Sequence, residues 1–403
     1  MLHCLHHSQT NGPAMTPSAR ISAAIAILDA ILAGQPAEPA LLGWSRASRF
    51  AGSGDRAAVR DLVFEALRRR DSLAARGGAL SGRGLMLGLL RLRDEDPDLV
   101  FTGLGHAPAP LSPEEKAAGA SPADAEALSD LPGWIWPDWQ ASLGDDALRA
   151  AHLMRDRAPV WLRVNPRQAT VAAVQDHLDR DGIATEVHPD LPPALRVTAG
   201  ERRIAASSAY RDGWIELQDL SPQLACAALP LTPGARVLDY CAGGGGKSLA
   251  LAAREEIEVT AYDAAPARMA DLPERARRAG AKIAIASTGK LGRDHDLVLI
   301  DVPCSGSGTW RRTPDAKWRL DREGLNRLQA TQAQILREAA PLVRPGGHLA
   351  YMTCSLLDQE NDDRINDFLK RNPQFSAQMR RRWLTPEGSD GFYLSLLRRA
   401  EAR

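Results

Sequence analysis

Over the first hundred residues hydrophobic positions recur at three- and four-residue steps, and after position 218 they change to an alternation of strand-like and helix-like runs. Ile21, Ile25, Leu28 and Leu32 share one helical face, as do Val59, Leu62, Val63, Ala66 and Leu67. Asp55 to Asp61 carries the polar side of that second helix, and Leu85 to Leu92 adds a further apolar stretch. An all-α module over 18–105 is predicted. Residues 106–133, rich in Ala, Pro and Ser, form a linker with room for one short helix. Trp134, Trp136 and Trp139 then open a helix running to about Arg157, and they are expected to serve as core or interface aromatics.

Val160–Asn165 reads as a strand and Thr170–Asp181 as a helix, followed by strand-like pieces at Ala184–Val187, Leu195–Thr198 and Trp214–Leu217. With the tryptophan helix, this makes a small α+β module over 134–217. From 218 to 403 strands are predicted at Arg236–Cys241, Glu258–Tyr262, Lys282–Ala286, Leu297–Asp301 and His348–Thr353. Helices are predicted at Lys247–Arg254, Pro266–Ala279, Glu323–Val343 and Gln359–Lys370, and Gly391–Arg398 alternates like a final antiparallel strand. Strands alternating with helices point to a doubly wound α/β sheet.

Composition narrows the function classes. The 403 residues are 44% hydrophobic and 25% charged, with 50 Lys and Arg against 50 Asp and Glu, so no overall field marks a polyanionic partner. Any nucleic-acid surface must be local; residues 301–403 hold 17 basic against 13 acidic residues, with clusters at Arg311–Arg312 and Arg380–Arg382. No apolar run approaches the ~18 residues of a membrane span. Five cysteines without a Cys-x-x-Cys pair argue against a metal site or disulfide framework and for a reducing cytoplasm. Residues 1–17 are expected to be a disordered tail, with Met15 an alternative first residue.

Three segments carry chemistry. Asp239-Tyr-Cys-Ala-Gly-Gly-Gly-Gly-Lys-Ser248 follows a strand and opens a helix, a turn whose bare backbone can approach a ligand at a helix N-terminus. It ends like a phosphate-binding loop, but that pattern needs glycine where Cys241 stands, which argues against a nucleotide hydrolase. Asp263 closes the next strand, placed to accept hydrogen bonds from a ribose and also to cap the following helix. Asp301-Val-Pro-Cys304 and Thr353-Cys354-Ser355 each end a strand, fifty positions apart.

Enzymes that methylate exocyclic amines usually carry an aromatic after the proline, for stacking on the base. A thiol there shifts the expected chemistry to a ring carbon. Cytosine carbon 5 is too weak a nucleophile to attack a methyl donor directly. A thiolate adding at carbon 6 makes it enamine-like, and the carbon-5 proton must later leave so that the thiol is expelled. Two cysteines and an aspartate meet that requirement, with either thiol as the attacker. A free thiol of pKa ~8.5 would need a setting that lowers it.

On these motifs, together with Arg163-Val-Asn165, Gln218-Asp219, Arg311-Arg-Thr-Pro-Asp-Ala-Lys-Trp318, Arg344-Pro-Gly-Gly347 and Asp390-Gly-Phe-Tyr393, the chain resembles the Sun/Nop family of RNA cytosine-5 methyltransferases, nearest its bacterial Fmu-type ribosomal RNA branch. The resemblance implies a Rossmann-like class I methyltransferase sheet over 218–403, an RRM-like module before it and a NusB-like helical domain at the N-terminus. It implies S-adenosylmethionine as cofactor, held by Cys241, Ala242, Gly243, Gly244, Gly245, Gly246 and Lys247 at its methionine end and by Asp263 at its ribose, with Arg268 and Asp301 adjoining. Cys354 becomes the nucleophile, Cys304 the group assisting release, and Asp301 the partner of the cytosine ring. Arg312 and Lys317 would face RNA. A monomer acting on ribosomal RNA in the cytoplasm, without metal or membrane, is the expectation; a transfer RNA methyltransferase and a non-catalytic RNA-binding or assembly factor are the alternatives.

The chain departs from the family pattern in two places. Gly243-Gly244 replaces the usual Ala-Pro, and Ser287-Thr288-Gly289 stands where an acid commonly meets adenine. Cys226 and Cys241 are expected to be structural.

Overall fold

The computed structural model describes residues 14–122, 128–287, 289, 291–384 and 388–402. The expected tail therefore lies, up to residue 13, outside the described residues. Two compact units emerge: one takes the chain to Pro137 with Asp145–Arg157 and Trp310–Arg319, the other Asp138–Gly144, Ala158–Thr309 and Leu320–Arg403. Among the described residues no helix is long and apolar enough to cross a membrane.

The first unit is all-α. Helices Pro17–Leu32, Ala37–Ala47, Ser53–Arg68, Arg70–Gly77 and Gly82–Leu92 bury the stripes seen in the sequence: Leu28, Val59, Val63, Ala66 and Leu85 are all 0% exposed. The last two helices touch backbone to backbone, because a side chain at Gly88 would strike the carbonyl of Leu73. Buried Asp55 accepts from the backbone N–H groups of Met15 and Gly52 and from Arg20 Nε at 3.0 Å, tying the start of the first helix to that of the third.

Trp310–Arg319 was expected within the α/β domain, yet it packs in this helical unit. Its short helix, Pro314–Arg319, closes the C-terminal end of Ser53–Arg68. Trp318 Nε1 donates to the carbonyl of Leu67 at 2.7 Å, while Lys317 Nζ donates to those of Arg68 at 3.0 Å and Asp130 at 2.6 Å. Final helical carbonyls lack intrahelical partners, and a cation there also complements the helix dipole. The Arg70 guanidinium lies 3.5 Å from the centroid of the Trp318 ring.

In the second unit Val160–Val164 (β1), Ala184–His188 (β2), Leu191–Ala199 (β3) and Ile215–Leu217 (β4) form an antiparallel sheet in the order β2-β3-β1-β4. Helix Val171–Arg180 links β1 to β2, the split βαβ arrangement of an RRM-like module. Leu162, Val174, Leu178, Ile183, Leu195 and Ile215, all 0% exposed, fill its core. Trp136 and Trp139 are buried and Trp134 half-buried, so the tryptophan cluster serves packing.

The second sheet contains Arg236–Asp239 (β5), Glu258–Ala261 (β6), Ile283–Ile285 (β7), His295–Asp301 (β8), Val343–Thr353 (β9), Phe375–Trp383 (β10) and Phe392–Arg399 (β11). Their order is β10-β11-β9-β8-β5-β6-β7, parallel from β9 through β7 and antiparallel at β10 and β11. The chain runs outward from β5 to β7 and returns to β8, so strand order reverses between β5 and β8, where ligands of such sheets bind. Strand β10 was not anticipated: Phe-Ser-Ala-Gln-Met-Arg-Arg-Arg-Trp has few apolar positions, because it is an edge strand with much of its surface exposed. The predicted Glu323–Val343 helix is shorter, spanning Arg322–Ala339, and Val343 already belongs to β9.

Burial pushes the Lys317 ammonium down to about 7, partly offset by the Asp130 and Asp71 carboxylates. The unfolded chain keeps this proton to an ordinary lysine value of ~10.4, so between the two values the unfolded state binds more protons and folding gains stability as pH rises. Measured against Lys317→Met, the Tm of the natural protein should therefore climb from about pH 6.5 to about pH 9.5; a pH-independent difference would refute the assignment.

Candidate active site

Four strand ends meet at the reversal point. β5 leads into the glycine turn, β6 into Asp263, β8 into Asp301–Cys304 and β9 into Cys354. The two thiols are brought together by register: β8 and β9 pair Ile300 with Tyr351 and Asp301 with Met352. Past the strands, Val302 N–H donates to the Met352 carbonyl at 3.1 Å and Gly308 N–H to that of Cys354 at 2.9 Å. The sulfurs of Cys304 and Cys354 end 3.3 Å apart, both half-buried. The hydrogen bond with Cys354, burial and the Glu360 charge together raise the pKa of the Cys304 thiol well above its ordinary value. Of this pair, Cys304 is thus held as the thiol.

Lys247, on the first turn of helix Gly246–Arg254, ion-pairs with Asp301. Burial alone disfavours its ammonium, but the Asp301 carboxylate outweighs that and raises the Lys247 pKa. Asp263 is 3% exposed; its Oδ2 accepts from Gly243 N–H at 2.9 Å and Arg268 Nη1 at 3.0 Å, and its Oδ1 from Ala265 N–H at 2.9 Å. The acid therefore pins the glycine turn to the end of β6. Ala242 is buried in the turn, and Gly243, Gly244, Gly245 and Gly246 leave its inner face bare. Cys241 lies among the carboxylates of Asp239, Asp301 and Asp263; burial and then these charges raise its pKa, while Cys226 is pushed by burial to about 11. Both remain thiols.

The RRM-like module braces this turn. Arg163 on β1 is buried, donating to Gln218 Oε1 and, at 2.8 Å, to the Gly246 carbonyl; burial draws its pKa down to about 10. Arg275 donates to the Gly244 carbonyl and, at 2.8 Å, to Glu216 of β4, which also receives Arg278 at 2.8 Å. Asn165 Nδ2 reaches the Ala279 carbonyl at 2.9 Å. Glu216, Arg275 and Arg278 escaped the sequence reading because only the contact between the two sheets reveals their partnership.

Asp239, quoted only as the start of the turn, proves informative. It is 1% exposed, Oδ2 accepts from Ser248 Oγ at 2.7 Å, and Oδ1 has no hydrogen-bond partner among the described residues. Burial lifts its pKa to about 6. An unsatisfied acceptor beneath a turn lined by glycines fits a ligand that carries a cationic amine.

Arg312 and Lys317 both belong to the helical unit, whereas the thiols belong to the other. Arg312 is exposed, but Lys317 is 1% exposed with its ammonium on carbonyls of its own unit, which corrects the expectation that it faces RNA. Arg311 is buried as well. Arg380 pairs with Asp362, and Arg382 with Asp358, so these proposed phosphate contacts are engaged within the protein. Thr288, at the expected adenine end, lies outside the described residues.

A glycine turn after β5, an acid after β6 and a catalytic-type loop after β8, on a seven-stranded sheet with antiparallel final strands, define a Rossmann-like methyltransferase domain. Residues 226–398 match the family model of the 16S rRNA methyltransferase RsmB/F, and residues 131–202 that of the ferredoxin-like domain of RsmF/B-like methyltransferases. Over these stretches the chain is similar to the RsmB/F methyltransferases. It is 35% identical over 251 residues to ribosomal RNA small subunit methyltransferase B of Salmonella arizonae, covering 60% of this chain and 58% of that one. The chain thus spans less than two thirds of such relatives. The crystal structure of PH0851 superposes with a TM-score of 0.73 at 23% identity, over 95% of this chain and 99% of that one. A methyltransferase homolog from Pyrococcus horikoshii gives 0.60 at 22% identity, over 72% and 100%. These likenesses establish the fold.

Gly245 has φ +76°, and a side chain there would strike Leu272. Gly234 has the same φ with nothing within 4 Å. Gly234→Ala should lose about 1–2 kcal/mol in urea unfolding, the backbone contribution alone. Gly245→Ala should lose more; equal losses would mean that the turn relaxes freely around Leu272.

Proposed function

We propose that this chain transfers a methyl group from S-adenosylmethionine to carbon 5 of a cytosine in RNA, with ribosomal RNA the target, through a covalent adduct at Cys354. The observation that carries the reading is the pair of thiols 3.3 Å apart beside the Lys247–Asp301 ion pair. An amine methyltransferase has no use for two adjacent thiols, whereas carbon-5 chemistry needs a thiolate to add at carbon 6 and a base to take the carbon-5 proton, roles that two thiols can divide. The match of residues 226–398 to the family model of a 16S rRNA methyltransferase supports the target class.

The unsatisfied Asp239 Oδ1 fits the α-amino group of the cofactor, the bare turn Cys241–Gly246 its methionine end, and Asp263 with Arg268 its ribose end. When bound, S-adenosylmethionine supplies the electrophilic methyl group. The rest is done by the protein's own groups. Cys354 adds through its sulfur to carbon 6, while its neighbour Cys304 is held as a thiol. Asp301, fixed by Lys247, stabilises the proton taken up at the ring nitrogen. Once Cys354 is bonded to carbon 6 it carries no charge, which removes the first of the causes that keep Cys304 protonated. After methyl transfer Cys304 gives its own proton to solvent and takes the carbon-5 proton; that electron pair restores the carbon 5–carbon 6 double bond and expels Cys354 as a thiolate, and the ring nitrogen releases its proton. The setting is the cytoplasm, and the working unit a monomer.

Incubated with cofactor and RNA, Cys304→Ala should accumulate a protein–RNA adduct that survives denaturing electrophoresis, while Cys354→Ala should form none and transfer no methyl group. An adduct in Cys354→Ala, with none in Cys304→Ala, would reverse the two roles. Bisulfite sequencing of RNA from a deletion strain identifies the cytosine, and loss of no ribosomal site would exclude the ribosomal target.

A further inference from the structure

Each of the two cysteines is followed by a serine, and both serines end on one carboxylate. Ser305 N–H donates to Glu360 Oε1 at 2.8 Å and Ser305 Oγ to Oε2 at 2.5 Å. Ser355 Oγ donates to the same Oε2, also at 2.5 Å. Gln332 Nε2, on helix Arg322–Ala339, completes the set at 2.9 Å from Oε1 and also reaches the Pro303 carbonyl at 3.0 Å. Glu360 is 0% exposed, and no cation pairs with it among the described residues. The next residue extends the latch: Asn361 Nδ2 donates to the Ser355 carbonyl at 2.9 Å and Asn361 Oδ1 accepts from Thr353 Oγ1 at 2.6 Å.

A buried carboxylate without a counter-ion is stable only when hydrogen bonds replace its hydration. Here all four donors come from, or brace, the two loops that carry the thiols. Separating the loops would strip Glu360 of its partners, so the carboxylate and the sulfur spacing stand or fall together. Resting on the cytosine-5 reading of the two cysteines, we infer that Glu360 is a positioning residue that sets the spacing of Cys304 and Cys354 by clamping the serine behind each. No hydrogen bond joins it to either sulfur among the described residues; it acts through Ser305 and Ser355.

Two measurements test the clamp. In turnover, Glu360→Ala should lower kcat about 100-fold, the scale of a 1 Å misplacement, with KM little changed. Glu360→Gln should restore kcat to within about tenfold, because an amide spans the same partners once the serine hydroxyls turn to accept from it. A general base would lose as much with Gln as with Ala, and that result overturns the inference. Without RNA, phenylarsine oxide bridges two thiols only when both are held within reach. Its affinity should fall about tenfold or more in Glu360→Ala and stay near that of the natural protein in Glu360→Gln, as expected when preorganisation is lost. Unchanged affinity in a folded Glu360→Ala overturns the clamp. Should that variant fail to fold, Ser355→Ala receives the same two measurements with the same criteria. If the natural protein transfers no methyl group to RNA, the cytosine-5 reading fails, and the arsenical affinities alone decide the clamp.

Discussion

Strands β8 and β9 lie parallel in the middle of the sheet, and their pairing ends with Asp301 opposite Met352. Everything reactive in this domain hangs on that register. Leu299 and Ile300 on one strand, and Leu349 to Met352 on the other, are 0% exposed. Both faces of the pair are packed in the core, so a one-residue slip would force all of these side chains to repack. The entropy of closing a long loop is large in total but grows slowly with its length, and a buried strand pair readily offsets it. Two thiols far apart in the chain thereby become neighbours, with the loop hydrogen bonds from Val302 and Gly308 carrying the alignment past the strand ends.

Glu216, Asp263, Glu360 and Asp239 are four buried carboxylates of this unit, and each is satisfied differently. Glu216 has two arginines, Asp263 has two backbone amides and one arginine, and Glu360 has four neutral donors. Asp239 has the hydroxyl and backbone amide of Ser248 and one oxygen left over. Three of them hold the protein together: the RRM-like module on the methyltransferase sheet, the glycine turn on β6, and one cysteine loop on the other. Of the four, Asp239 is the one that keeps an oxygen without a hydrogen bond among the described residues. The flexibility introduced by Gly243-Gly244 in place of Ala-Pro is countered from outside the turn, by Asp263 on the Gly243 amide and Arg275 on the Gly244 carbonyl.

The segment Trp310–Arg319 shows how local composition can suggest the wrong partner. Arginine, proline, lysine and tryptophan in close succession look like an RNA-facing surface. In the folded unit, Lys317 and Trp318 instead satisfy the last carbonyls of a helix, whose orphan acceptors need donors as surely as phosphates do. No sequence pattern distinguishes the two kinds of acceptor.

The amino-acid sequence by itself determined the helical stripes of the first hundred residues, the alternating strands of the sheet, and the chemical identity of the turn, the acids and the thiols. Those are properties of periodicity and residue type, which need no knowledge of neighbours. Edge strand β10, lacking an apolar face to bury, left no such trace. The partnership of Glu216 with Arg275 and Arg278, the burial of Lys317, the free oxygen of Asp239 and the Glu360 latch were decided only by tertiary structure. Each depends on which groups distant in the chain are desolvated together, and desolvation is a property of the packed molecule rather than of any stretch of it.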